Sequence, residues 1–263
     1  MLLMKNSCMS LSGRDGRMNN SLTCQRVSIN YTDKEILKNV NFTIRSHKIA
    51  AMIGASGGGK STILKAIAGF IPYQGEIRLN QEILTSSDWR RGVVFQDSSL
   101  FPWLTVYENI SFGLRAKKYD QEKIKKRCME LLNLIGMQQY RDNLISTLSG
   151  GMKQRVAIAR ALANKPLFLL MDEPFGALDS VTRNKMQNLI INVAREENIG
   201  ILLITHDITE ALKCGNNVLV LNKERKNFEN VGNPFFNQSL AEIVNNNSFS
   251  SYQQLEQELV SYL

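Results

Sequence analysis

The segment Gly54-Ala55-Ser56-Gly57-Gly58-Gly59-Lys60-Ser61-Thr62 holds the residue types that grip a phosphate. Glycines let successive backbone N–H groups turn inward around an anion. The segment follows the apolar run Ile49-Ala50-Ala51-Met52-Ile53 and opens a helical pattern with Ile63, Leu64, Ala66, Ile67 and Ala68. A helix N-terminus adds partial positive charge at the same point. A strand, a glycine loop with Lys-Ser and then a helix is the setting of a nucleotide phosphate loop. In that setting Lys60 reaches the β- and γ-phosphates, and the Ser61 hydroxyl can hold Mg²⁺.

A second group of residues suits the same substrate. Phe168-Leu169-Leu170-Met171 reads as a buried strand with Asp172 and Glu173 at its C-terminal end. Ligands of open α/β sheets sit beyond that end. Asp172 can orient Mg²⁺ there, and Glu173 can act on an attacking water as a general base or as an orienting group. The plain alternative is a strand end and a turn made by Pro174. Ser149-Gly150-Gly151 opens another helical pattern, 151–163, and gives a second anion-binding terminus. Ser149 can equally serve as the helix N-cap. With one phosphate loop per chain, a second anion site needs a γ-phosphate from another copy, which a head-to-tail dimer provides.

The elements that must hold these residues follow from periodicity. Alternating apolar positions predict strands over 23–31 and 36–45, and short apolar runs predict strands at 49–53, 75–80, 92–96, 167–172, 200–205 and 218–222. Helical spacing predicts helices over 105–116, 120–134, 139–144, 151–163, 181–197 and 208–213, and two more after about residue 231. The expected fold is α/β: a mostly parallel sheet with an antiparallel N-terminal part and an α-helical subdomain inserted at about 98–150. Three parts are expected, namely a disordered extension over 1–20, a main domain over 21–230 and a helical tail over 231–263.

Composition excludes several classes. The apolar runs fall far short of the about 18 residues that a membrane helix needs. No apolar segment with a cleavage site marks a secretory signal. Cys8, Cys24, Cys128 and Cys214 are far apart and form no CxxC pair, so free thiols are expected rather than disulfides or a zinc site. The net charge is +8, with its densest run at Lys117–Arg127. That run shares helical spacing with Ile124, Cys128, Leu131 and Leu132, which reads as the solvated face of an amphipathic helix. Aromatic residues do not alternate with it, so no nucleic-acid partner is expected.

Together the phosphate loop, Leu148-Ser149-Gly150-Gly151-Met152-Lys153-Gln154-Arg155 and the Asp172-Glu173 strand end resemble the ATP-binding cassette ATPases, over roughly residues 23–222 and in the family's order. The resemblance implies a P-loop NTPase fold, ATP and Mg²⁺ as ligands, and a head-to-tail homodimer with two ATP at its interface. It implies that Tyr31 stacks on adenine, that Gln96 contacts Mg²⁺ and catalysis, and that Ala177-Leu178-Asp179 crosses to the partner. His206 resembles the switch histidine at the γ-phosphate. Two departures stand out. Gly58 occurs where a small side chain is usual, and Asn216-Asn217 where an acidic–basic pair is common. The extension has no counterpart, and Met18 offers a more typical start.

Phe101-Pro102-Trp103, just after Gln96, puts bulky apolar residues in a loop between strand and helix. Subdomain core is one reading. The other is a groove that receives a permease helix. The segment is similar to that of importer ATPases of the nitrate, sulfonate and taurine group. That similarity implies transmembrane permease subunits, a separate solute-binding protein and a place on the cytoplasmic face of the membrane. A soluble cassette ATPase acting on DNA, ribosomes or cluster assembly, and an exporter subunit, are the alternatives.

Overall fold

The computed structural model describes residues 19–31, 34–97, 99–176 and 178–262. Residues 1–17, Met18 and Ala177 therefore lie outside the described part. Two sheets form the body. Strands β1 (Ser21–Tyr31), β2 (Lys34–Arg45), β4 (Gln74–Leu79) and β5 (Glu82–Ile83) make an antiparallel sheet in the order β2-β1-β4-β5. The second sheet has the order β10-β9-β3-β8-β7-β6. Its strands are β3 (Ile49–Ile53), β6 (Arg91–Val94), β7 (Phe168–Asp172), β8 (Gly200–Ile204), β9 (Asn217–Asn222) and β10 (Asn227–Gly232). All its pairs are parallel except β9 with β10.

β3 and β8 are buried at every position, as parallel strands covered on both faces must be. Helices α1 (Lys60–Ala68), α5 (Ser180–Glu196) and α6 (Ile208–Cys214) alternate with these strands in the chain, so the elements holding the motifs belong to one α/β layer system. Helices α2 (Val106–Ala116), α3 (Gln121–Leu134) and α4 (Gly150–Ala163) lie between β6 and β7 in the chain, and their apolar faces join one core with β7. Helices α7 (Leu240–Asn245) and α8 (Phe249–Ser261) close a smaller core with α6 through Phe235, Ile243, Tyr252 and Leu259. No helix among the described residues is long and apolar enough to cross a membrane.

The structure corrects three sequence expectations. Asn20 is not part of a disordered extension: it is buried, its backbone N–H donates to Ser46 Oγ and its side chain accepts from Asn80. Residues 139–144 form no α-helix; a one-turn 3-10 helix, Gln138–Tyr140, overlaps the start of this stretch and a second, Ile145–Thr147, follows it. The carbonyls of Arg141 and Asn143 instead accept from Tyr107 and Val106, the first N–H groups of α2, which have no partner within their own helix. The tail does not begin at 231, because that boundary falls inside β10. β10 is polar and earns its strand geometry by pairing along β9 from Asn227 to Gly232.

Candidate functional site

The loop between β3 and α1 supplies the anion cradle. Gly59 sits at φ 104° as the N-cap of α1, a left-handed conformation that favours glycine. A Cβ at Gly59 would lie 3.0 Å from the Leu37 side chain, so β2 packs directly on the loop. Gly58 answers its departure from the family pattern. A Cβ there would come 2.1 Å from Leu221 Cδ2, and Leu221 of β9 fills that space instead. Asn216, at the second departure, donates its backbone N–H to Ile49 O and accepts from Ile49 N–H at 2.9 Å, pinning the start of β3.

Lys60 is buried, and its ammonium donates to Gly54 O at 2.6 Å and to Ala55 O at 3.0 Å. It thus spans the loop between Gly54 and Gly59, with Ser56 and Gly57 exposed at the loop crest. Burial pulls the Lys60 ammonium below its ordinary value, against the opposing charges of Glu173 and Asp172. Ser61 Oγ donates to Asp172 Oδ1 at 3.1 Å across 111 residues of chain. Burial pushes the Asp172 carboxyl upward, and the Ser61 hydrogen bond opposes that shift. A hydroxyl and a carboxylate side by side are the hard oxygen donors that suit Mg²⁺. Thr62 lies one residue further into α1 and is half-buried.

Glu173 leaves β7 at φ 46°. A non-glycine residue in this region costs of order 1–3 kcal/mol, which the surrounding structure must hold in place. Its N–H donates to Ile204 O at 3.0 Å, which fixes the turn against β8. Glu173 Oε2 lies 3.5 Å from His206 Nδ1, and the His206 side chain is 63% exposed. Gln96 is exposed beyond β6, and its Nε2 lies 4.0 Å from where a Cβ would stand at Gly176. The structure therefore brings Lys60, Ser61, Asp172, Glu173 and His206 to one edge of the parallel sheet, with Gln96 beside the Glu173 turn.

Other sequence-selected residues stand apart or have further duties. Tyr31 is half-exposed at the end of β1, opposite Lys34, on the hairpin whose second strand packs on Gly59. Ser149 caps α4 by accepting from Met152 N–H, and both Ser149 and Gly150 are exposed. Gly151 is buried, and a Cβ there would meet Thr182 Cγ2 at 2.6 Å. Its smallness thus serves the α4–α5 approach. Asp179 caps α5, and the hydrogen bonds from Thr182 and Val181 hold its carboxyl below the usual range.

Asn109 escaped the sequence reading. It is 0% exposed, its Oδ1 accepts from Phe101 N–H and its Nδ2 donates to the carbonyls of Phe101 and Thr105. A buried amide that closes a loop has no signature beyond a polar residue on an apolar helix face. The loop it closes presents Trp103, which is 71% exposed and therefore not core. The Phe101 ring lies 5.8 Å from Trp103 and 4.5 Å from Phe112.

Comparison with known proteins agrees with this geometry. Residues 37–176 match the family model described as ABC transporter. The chain is 47% identical over 186 residues to the Taurine import ATP-binding protein TauB of Pelagibacter ubique, covering 70% of each chain. It is 42% identical over 205 residues to the protein of the same name from Burkholderia thailandensis, covering 76% of this chain and 79% of that one. A solved structure of cbiO1 from Clostridium perfringens, part of the ABC transporter complex cbiONQ, superposes with a TM-score of 0.76 at 29% identity, covering 89% of this chain and 94% of that one. With its phosphate loop and the Asp172-Glu173 strand end joined at one sheet edge, the chain belongs to the ABC transporter family and is an ATPase of it.

Proposed function

We propose that this ATPase energises uptake of a small solute of the nitrate, sulfonate and taurine class through a membrane permease, from the cytoplasmic face. ATP is held between two copies arranged head to tail. The observation that carries the hydrolytic reading is the strand end of β7, where Asp172 meets Ser61 and Glu173 meets His206. The names of the relatives, taurine import proteins, support the solute class. In each copy the loop from Gly54 to Thr62 wraps the β- and γ-phosphates, and Lys60 pairs with their charge. Tyr31 stacks on the adenine. Ser61, Asp172 and Gln96 would hold Mg²⁺, which when bound would offset charge on the phosphate oxygens. Glu173 accepts a hydrogen bond from the attacking water, and His206 donates to the γ-phosphate. Ser149, Gly150 and Gly151 of one copy face the γ-phosphate bound by the other, and Asp179 crosses to that copy. The permease brings a separate solute-binding protein into the complex.

Glu173→Gln tests the hydrolytic part. It keeps volume and hydrogen bonding but removes the charge that acts on water. Turnover should fall by about two orders of magnitude or more, while ATP holds the variant as a dimer in light scattering. Near-normal turnover refutes the assignment. Co-purification of the wild-type chain with a permease, and stimulation of that complex by taurine with its binding protein, tests the import part. A complex that taurine and nitrate both leave unstimulated refutes the solute class.

A further inference from the structure

Two charged side chains beside the nucleotide site, Glu210 and Arg183, connect its loops. Glu210, on α6, is 7% exposed, and Thr205, between β8 and His206, is 2% exposed. Thr205 Oγ1 donates to Glu210 Oε2 and accepts from Asp207 N–H at 3.1 Å. Asp207 Oδ1 in turn accepts from Glu210 N–H at 3.1 Å. The Glu210 carboxylate and the Asp207 side chain thus brace both sides of the turn that carries His206. From the other side Arg183, on α5, approaches Glu210 Oε1 with its Nε at 3.4 Å. The same guanidinium donates from Nη2 to Leu178 O at 3.1 Å. Leu178 directly precedes Asp179, the cap of α5.

We propose that Arg183 and Glu210 are positioning residues, forming a strut that ties the Leu178-Asp179 loop to the turn bearing His206. Hydrolysis at one nucleotide thereby depends on where the loop that crosses to the partner sits. Four features support this. The chain of contacts Leu178–Arg183–Glu210–Thr205 is continuous, and its two ends are loops, not helix interiors. Glu173, His206, Arg183 and Glu210 line one small cavity, so the strut adjoins the reacting side chains without touching the phosphate loop. Burial pushes the Glu210 carboxyl upward and Asp207 adds to that, while Thr205, Arg183 and His206 oppose it, so Arg183 is one of the partners that keep the carboxylate charged. Arg183 Nε is buried and has no hydrogen-bond acceptor in good geometry. Its approach to Glu210 Oε1 at 3.4 Å is an ion pair. A displaced crossing loop therefore has a direct mechanical route to His206.

The strut rests on His206 and Asp179 acting at the nucleotide as proposed above, and the experiment separates the two claims. Arg183→Gln, Glu210→Gln and the double variant are made in the full chain, beside His206→Ala. Each single variant should lower kcat about tenfold and leave KM for ATP within about twofold, because the interaction acts in the hydrolytic arrangement rather than in ATP binding. The double variant should lose no more than either single one, as residues acting as a unit do. Arg183→Lys should recover part of kcat by restoring the charge. Unchanged kcat in either single variant, a rise in KM alone, or losses that multiply in the double variant overturn the strut. Should Glu210→Gln fail to fold, Arg183→Gln decides: a tenfold loss eased by Arg183→Lys supports the strut, and normal kcat overturns it. Normal turnover in His206→Ala refutes the site assignment and the strut with it. A loss there beside normal turnover in Arg183→Gln refutes the strut alone.

Discussion

Asp172 holds its place against its own solvation. Burial raises its carboxyl above the ordinary value, and the Ser61 hydrogen bond offsets only part of that. A carboxyl raised in the folded state adds stability below its unfolded pKa and loses it as pH rises through the folded one. Asp172→Asn keeps the Oδ1 acceptor for Ser61 and removes the buried charge. The variant should match the wild type on the acid side of that window. At pH 7 it should melt at a higher temperature than the wild type, because the buried charge is gone. Its ATPase should be lost. Thermal unfolding across the acid limb checks this, and a variant less stable at pH 7 refutes it. Such a gain on deleting a site residue is what a site built for function rather than stability shows. Glu173 makes the same point through its backbone, held at positive φ by the turn into Pro174.

Helix α2 shows how one element serves both packing and display. Thr105 and Glu108 form a reciprocal capping box at its N-terminus, which satisfies two otherwise unpaired N–H groups. One turn on, Asn109 holds the Phe101–Thr105 loop through both ends of its amide. Asn109→Ala leaves the Phe101 N–H without its acceptor. It should cost about 1–3 kcal/mol in urea unfolding, and Trp103 emission should shift as its loop loosens. An unchanged urea midpoint refutes the pinning role. The α4–α5 contact carries a second lesson. Gly151 is small because Thr182 stands opposite, so one residue of the Ser-Gly-Gly run has a packing duty that anion chemistry alone does not predict.

The whole molecule presents Trp103 and Phe112 to solvent around the Phe101 ring, although neither is needed for the core. Exposed large apolar groups that cluster mark partner surfaces. Trp103→Ala should leave basal ATPase of the isolated chain intact. It should weaken recovery with the permease by about thirtyfold in affinity, as a truncated aromatic anchor worth about 2 kcal/mol does. Solute-stimulated ATPase of the complex should fall in parallel. An unfolded Trp103→Ala chain, or an undiminished permease complex, refutes this surface. The buried Cys24, Cys128 and Cys214 are free thiols. Burial raises all three thiols, Cys128 to about 11 and Cys214 to about 12, so they sit in this molecule as small apolar groups.

Sequence by itself determined what local spacing encodes. The glycine loop before Lys60-Ser61, the buried strand before Asp172-Glu173 and the alternation of strands and helices are all readable within about ten residues of chain. Each rests on backbone freedom, periodicity or a cap, which depend on near neighbours. Tertiary structure decided whatever needs two distant segments. The Ser61–Asp172 hydrogen bond requires β3 and β7 to flank β8, and chain order does not state that neighbour relation. Leu221 against Gly58 requires β9 beside β3. β10 is a strand only because β9 offers it an edge, since Asn227-Phe228-Glu229-Asn230 has little apolar pattern of its own. Residues 139–144 form no α-helix, and the carbonyls of Arg141 and Asn143 are taken by the first N–H groups of α2. Burial, hydrogen bonds across the fold and the turn at Glu173 arise when the sheets close, and no stretch of sequence contains both sides of those contacts.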